Sequence, residues 1–454
     1  MKKELFSNEI TILRDTFRRL LRRRAKTNII KLIDKTHPAD LALLFRYFNE
    51  NEQGEIFNDL KPSEDTAEFL NELDESISIR LIENESPERI AQILEYASSN
   101  EQAYLMGLID NTYASSVIDL LRAEKQEELE EMMAYPEDSA GILMYTDVFT
   151  LHEETKAKDA IYALQDQEDA EMVFYLYTLD NDGRLTGVIS LRDLVTTSGD
   201  TMLKDIMSKQ IHVVRPETDQ EEVARIVSQY NFLAVPVVDS DDRLLGIVTV
   251  EDVVDVIREE ATEDFLQMVG AGKDREILLK SSWENARMRV PWLFASWVGG
   301  ILAAFIIGVF DNVLQSTIAL AAFIPVIMGM GGNIGTQSST MIVRGLATGR
   351  VSIENSVKIL FKEIRVGLLL GILYGLLLGL FAIFRFIDAS PMIGVVVGLS
   401  IFISMIIAAT IGSLVPLILN RFEIDPAIAT GPFVTTAIDI LGVAFYFIVA
   451  GAFL

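Results

Sequence analysis

Met328 to Arg344 reads MGMGGNIGTQSSTMIVR. It lies inside an apolar segment that begins near Ser316, yet it carries four glycines, Asn333, Gln337 and a run of hydroxyl residues, with Pro325 just upstream. In lipid, irregular backbone survives only where it is buried in protein or lines a water-filled path. The patch therefore marks either a cavity wall or a close helix–helix contact, the commoner use of small residues in membrane helices. A second feature tips the balance toward a cavity. Asp439 also lies in an apolar segment, and a carboxylate at a helix centre costs about 2.5–3.5 kcal/mol to insert, so it faces a pathway or a partner.

Outward from this stretch the chain divides in two. Seven acids and nine bases follow Ala286, so of the formal charge of −27 the first 286 residues hold about −29. Such acidity argues against nucleic acid, which requires a basic surface, and favours cations. With no cysteine there are no disulfides and no thiolate metal sites. The opening LRDTFRRLLRRRAKTNIIKLI (13–33) is charged and amphipathic, without the apolar core of a secretory signal. Its arginines suit either a solvated helix end or contact with anionic lipid.

Five apolar segments, about 291–310, 316–342, 366–384, 391–419 and 427–454, are each long enough to span a membrane as a helix. Arg287, Arg289, Arg344, Arg350, Lys358, Lys362, Arg365 and Arg421 fall on one side of them, and Arg385 alone falls opposite. The positive-inside rule then predicts an integral protein of the cell membrane, with the acidic half and N-terminus cytoplasmic and the C-terminus external.

The acidic half carries its own periodicities. Apolar clusters such as ADLALLFRYF, TAEFLNEL and ERIAQILEYA recur over residues 1–140, which predicts a helical solenoid. An internal repeat follows: LDNDGRLTGVISLRDLV (179–195) matches VDSDDRLLGIVTVEDVV (238–254), each preceded by a strand-plus-helix pattern. Two β-α-β-β-α modules in tandem, 141–200 and 201–258, resemble a pair of CBS domains. In such pairs the positions of Ser190, Arg192, Asp193 and Phe232 can hold an adenine nucleotide. Ser190 and Thr249 also suit helix caps, and that alternative stays open. EDVVDVIREEATEDFLQM (251–268) reads as an acidic amphipathic helix, which Gly270 and Gly272 break. Residues 259–290 thus form a connecting element into the five-helix bundle of 291–454.

Around Asp439, Gly431, Pro432, Thr435 and Thr436 place hydroxyls, and carbonyls freed by the proline, within two turns. One acid with neutral oxygens, and neither thiol nor imidazole, suits a hard cation such as Mg²⁺ or Ca²⁺. Over essentially its whole length the chain resembles the MgtE family of magnesium channels. The matching phrases are YPEDSAG (135–141), ISLRDL (189–194), EEATEDF (259–265), MGGNIGTQSST (330–340), VRGLATG (343–349) and DPAIATGPFVTTAID (425–439). The resemblance implies a homodimer whose pore lies at the subunit interface, lined by the second and fifth spans. Asp439 matches the pore acid, with Asn333, Gly335, Thr336, Gly431 and Thr435 around it; Thr336 and Gly431 stand where some members carry Asn. Mg²⁺ is then both substrate and regulator. The implied sensor comprises Asp252, Asp255, Glu260, Glu263 and Asp264 facing Asp425, with Asp219 and Glu221 as further ligands. Asn231 takes a position that can be acidic in CBS pairs.

The physics of the ion agrees with a pore. Mg²⁺ gives up water reluctantly, and symmetry-related carboxylates with a ring of neutral oxygens would pass it largely hydrated. Membrane potential supplies about 2.3 kcal/mol per charge per 100 mV, twice that for a divalent ion. No P-loop is present, and His37, His152 and His212 all lie in the acidic half, so neither ATP hydrolysis nor a proton relay is indicated. Two other functions fit parts of the chain: a nucleotide-sensing membrane receptor, and a gradient-coupled exchanger. An enzyme fits least, since no nucleophile–base pair stands out.

Overall fold

The short apolar clusters become a stack of short helices in a computed structural model, which describes residues 2–165, 174–271, 280–352, 355–386, 390–422, 424–429 and 431–454. The chain forms two compact units, Met1–Ile257 and Arg258–Leu454.

In the first unit, nine helices of eight to ten residues, among those described, run from Lys26–Ile33 to Ala123–Met132. They are short because caps start them at close intervals. Pro38 and Pro87 open two of them, while Asn49 with Glu52 and Ser98 with Glu101 form capping boxes on two others. A buried glutamine follows each box. Gln53 Nε2 donates to Phe45 O at 2.7 Å and Phe48 O at 3.2 Å, and Gln102 Nε2 donates to Leu94 O at 2.8 Å and Ala97 O at 2.9 Å. These bonds give the carbonyls at the ends of two helices side-chain donors, beside the backbone amides that Phe45 O and Leu94 O also accept. The motif Asn-Glu-Gln, at 51–53 and 100–102, is thus the sequence mark of this joint.

The repeat is visible in the strands. β1 (Thr150–His152) runs parallel to β2 (Tyr175–Leu179), which pairs antiparallel with β3 (Leu185–Ser190); β4 (Ala234–Val238) pairs antiparallel with β5 (Leu244–Thr249). The registers correspond residue for residue, Tyr175↔Ser190 with Ala234↔Thr249, and both ladders shift at the same step. Asp180 Oδ1 accepts from the amides of Asp182 and Arg184, as Asp239 Oδ1 does from those of Asp241 and Arg243. Gly183 and Asp242 take the matching left-handed positions. The two copies differ at their start. The strand expected over IHVV is reduced to a single bridge, Val214↔Val237.

Among its described residues the second unit holds five helices long and apolar enough to cross a membrane: Ser282–Val309, Ile318–Ala347, Ser356–Arg385, Met392–Arg421 and Pro432–Phe453. These are the first to fifth spans. The first begins upstream of its apolar run because Ser281 and Glu284 form a capping box. The third and fourth spans meet along Gly367, Gly371, Gly375 and Gly379, spaced one turn apart. A Cβ on Gly375 would lie 2.6 Å from the carbonyl oxygen of Gly398, so only glycine allows this approach. The other face of the third span exposes Leu369, Leu373, Leu376, Leu380 and Phe384.

Candidate functional site

The glycine-rich stretch is a continuous helix, Ile324–Ala347, entered through a 3₁₀ turn at Ile318–Phe323. It contains no irregular backbone, and its glycines serve two faces. Gly331 and Gly335 are buried where the second span crosses the fifth: a Cβ on Gly331 would meet Ile438 Cγ2 at 3.0 Å, and one on Gly335 would run into the Ile438 side chain. A Cβ on Gly412 of the fourth span would in turn meet the backbone of Gly335. Gly329, Asn333 and Gln337, spaced four apart, form an exposed polar stripe on the same helix, with Thr336 half-buried beside them. Packing and polarity thus divide the patch by face. Gly335 lies on the packing side and Asn333 on the open one.

Asp439 follows Ile438 on the fifth span, half-buried at the edge of this seam. Among the described residues it has neither a hydrogen-bond partner nor an ion pair. Thr435 stands one turn before it. The Thr435 hydroxyl donates to the Gly431 carbonyl at 3.2 Å, and its amide donates to the same oxygen at 3.3 Å. The Gly431 carbonyl is therefore engaged by the helix start, while the Thr435 oxygen keeps lone pairs free. Pro432 sits at the first turn and leaves the rest of the helix regular. Thr436 packs against Gly299 of the first span.

At its far end the connecting helix, Val250–Met268, reaches this span. A Cβ on Gly431 would lie 3.6 Å from the Met268 carbonyl, and one on Gly270 would lie 3.3 Å from the Trp292 ring of the first span. Asp255 is exposed, and Glu260, Glu263 and Asp264 are half-buried. Asp425 accepts from the Ala427 amide at 2.8 Å, capping the short turn before the fifth span. No three acids or histidines among the described residues gather into a group able to hold a metal ion. Gly272 and Asp388, the latter expected to be dispensable on an outer loop, lie outside the described residues.

Asp252 is more deeply engaged. Its carboxylate accepts from the Thr249 hydroxyl, from the Thr249 amide at 3.3 Å and from Asn100 Nδ2 at 3.1 Å. It thereby ties the second repeat to the solenoid helix Ser99–Gly107. Burial holds its carboxyl above the ordinary 3.8, opposed by the Thr249 bonds and reinforced by the charges of Glu101 and Glu251. A raised folded value means that its contribution to stability is full below the ordinary carboxylate value and is lost as pH rises through the raised one. Asp252→Asn should accordingly flatten the pH dependence of this joint over that window. Hydrogen exchange of the Ser99–Gly107 amides in the full chain checks this, and an unchanged profile would contradict it.

In the first repeat, Ser190 Oγ caps its helix by accepting the Asp193 amide at 3.1 Å and donates to Asp193 Oδ2 at 2.6 Å. The capping alternative therefore holds there, and at Thr249, whose Oγ accepts the Asp252 amide at 3.3 Å. Arg192 and Asp193 are exposed. In the second repeat, Asn231 ends its helix in the left-handed conformation, φ 55°, which Asn tolerates well. Phe232 comes next, within a trio that sequence spacing did not reveal. His212 and Tyr230 stack with centroids 4.1 Å apart, and Tyr230 and Phe232 lie 5.4 Å apart. Asp219 caps the helix Gln220–Tyr230 by accepting the Glu221 amide at 2.8 Å, and both residues are exposed.

Five spans, a lone carboxylate on the last and a tandem α/β repeat define a multi-pass membrane transport protein. The MgtE family, described as a divalent cation transporter, matches residues 324–449; its intracellular N domain matches 36–138, and CBS domains match 140–199 and 203–259. The magnesium transporter MgtE of Bacillus subtilis is 31% identical, over 93% of both chains, and that of Thermus thermophilus is 35% identical, over 92% of this chain and 94% of its own. The first unit resembles the cytosolic domain of the Mg²⁺ channel MgtE solved in complex with ATP, at 33% identity and a TM-score of 0.51, covering 54% of this chain and 99% of that one. It also resembles the soluble part of a magnesium transporter, at 29% identity and a TM-score of 0.50, over 56% and 99%. The chain belongs to the MgtE family.

Proposed function

We propose that the protein carries Mg²⁺ into the cytoplasm through a path lined by Asp439. The observation that carries this reading is the isolation of that carboxylate. It sits within the fifth span with no partner among the described residues, beside the helix that presents Asn333, Thr336 and Gln337. An unpaired intramembrane acid is retained at a cost only where it serves a pathway or a partner. A second copy of the chain supplies the missing wall: in a homodimer, two Asp439 carboxylates face one path between the second and fifth spans. Thr435 and Asn333 then offer side-chain oxygens to the hydrated ion. Gly335 and Gly431 act by letting the helices meet, and lipid covers the leucine-rich face of the third span. The N-terminus is cytoplasmic and the C-terminus external. Purified protein in liposomes with an inside-negative potential should admit Mg²⁺ without ATP, and a sealed lumen that stays Mg²⁺-free would reject the proposal.

Cytosolic Mg²⁺ closes the path by binding the acids of the connecting helix, whose end rests on Gly431 and Trp292. The CBS pair adds a nucleotide site, supported by the ATP complex of the related cytosolic domain. Arg192 and Asp193 would hold the phosphates and ribose, Ser190 would share its hydroxyl, and Phe232 would stack on the base. Calorimetry on the full chain should show ATP binding that Asp193→Ala weakens at least about tenfold, about 1.4 kcal/mol. Equal affinity in the variant would remove the nucleotide from these residues.

A further inference from the structure

Glu363 is the only acidic or basic side chain among the buried polar groups of the described residues, 4% exposed on the third span. It forms no ion pair among them. Its one hydrogen bond comes from Ser338 Oγ of the second span, at 2.9 Å. A buried carboxylate without a cation is costly, and here it stands on a helix that contributes nothing else to the proposed path. Ser338, also 4% exposed, directly follows Gln337 of the exposed polar stripe. Elsewhere the second span packs through apolar contacts, with Ile438 seated on Gly331 and Gly335 and with Ile327 and Ile334 buried in the same core. Apolar contacts are non-directional, whereas a hydrogen bond is directional and sets an angle between the second and third spans.

We infer that Glu363 is a positioning residue: by accepting from Ser338 it fixes the rotation of the second span and so aims Asn333 and Gln337 at the ion path. The inference rests on the transport reading above, and two measurements separate them. The first needs no transport. The chain has no cysteine, so Gln337→Cys can be modified by a charged thiol reagent in the otherwise unaltered protein. Adding Ser338→Ala or Glu363→Leu should change the modification rate at least about fivefold, whereas Glu363→Gln, whose amide oxygen can still accept, should keep it within about twofold. The second is the unitary Mg²⁺ current in planar bilayers. Ser338→Ala and Glu363→Leu should each lower it at least about fivefold, the double variant no further than the Glu363→Leu single, and Glu363→Gln should restore it. Equal modification rates in all backgrounds would overturn the inference, as would unitary currents that stay constant while only the number of active channels falls. Rates that change as expected in a protein carrying no Mg²⁺ current would uphold the rotation and overturn its role in transport.

Discussion

Asp439→Asn is expected to lower Mg²⁺ flux about a hundredfold or more while the protein still folds and elutes as the wild type does. The substitution keeps the volume and removes the charge. Because Asp439 has no hydrogen bond or ion pair among the described residues, no internal contact is lost with it. Unit charges about 4 Å apart attract by about 4 kcal/mol at an effective dielectric constant of about 20. A hundredfold loss needs only about 2.7 kcal/mol, so direct or single-water contact with a divalent ion accounts for it. Flux into liposomes at matched protein content is the measurement. Wild-type flux in Asp439→Asn would place the path elsewhere.

Neutralising the connecting helix should have the next largest effect. Asp255, Glu260, Glu263 and Asp264, changed together to Asn or Gln, are expected to flatten the dependence of channel opening on cytosolic Mg²⁺. Asp252 is left intact because its amide donates to the capping Thr249 hydroxyl and its carboxylate accepts from Thr249 and Asn100. Exposed charges interact weakly beyond the Debye length, about 8 Å at physiological salt, and that screening is always present. It cannot report Mg²⁺ in particular. Mg²⁺ bridging between carboxylates can, because it neutralises charge and fixes geometry together. It shifts the equilibrium only as far as it binds one state better than the other. The far end of the helix lies against Gly431, where the fifth span begins, so on this reading a displacement there would act on the helix that carries Asp439. Opening is measured against cytosolic Mg²⁺ at fixed ionic strength. A midpoint and slope like those of the wild type would return these acids to a solvated helix face.

Much of this architecture was legible because it rests on local chemistry. The five spans follow from apolar length, and the tandem repeat follows from its aspartate turns, in which Asp180 and Asp239 make the same two bonds. The helix of the first span starts at Ser282, upstream of its apolar run, because Ser281 and Glu284 act through a cap rather than through hydrophobicity. The glycine-rich stretch was harder. Sequence shows that it is both small and polar, but only helical phase assigns Gly335 to packing and Asn333 to the open face. Asp252 read as one more acid on a charged helix, and its engagement depends on Asn100, far away in the chain. Glu363 was hidden for a similar reason. Between Lys362 and Arg365 it looks like part of an interfacial charge cluster, and only the placement of Ser338 distinguishes it.

Mg²⁺ should move passively, driven by its own gradient and the membrane potential. The most direct test is the reversal potential of the current through the purified protein in a planar bilayer, with Mg²⁺ as the only permeant cation and unequal concentrations on the two sides. Reversal is expected at the equilibrium potential of a divalent ion, unaffected by proton or Na⁺ gradients, and the current is expected to be absent in Asp439→Asn. A reversal that moves with the proton or Na⁺ gradient, or a Mg²⁺ flux that carries no current, would contradict it.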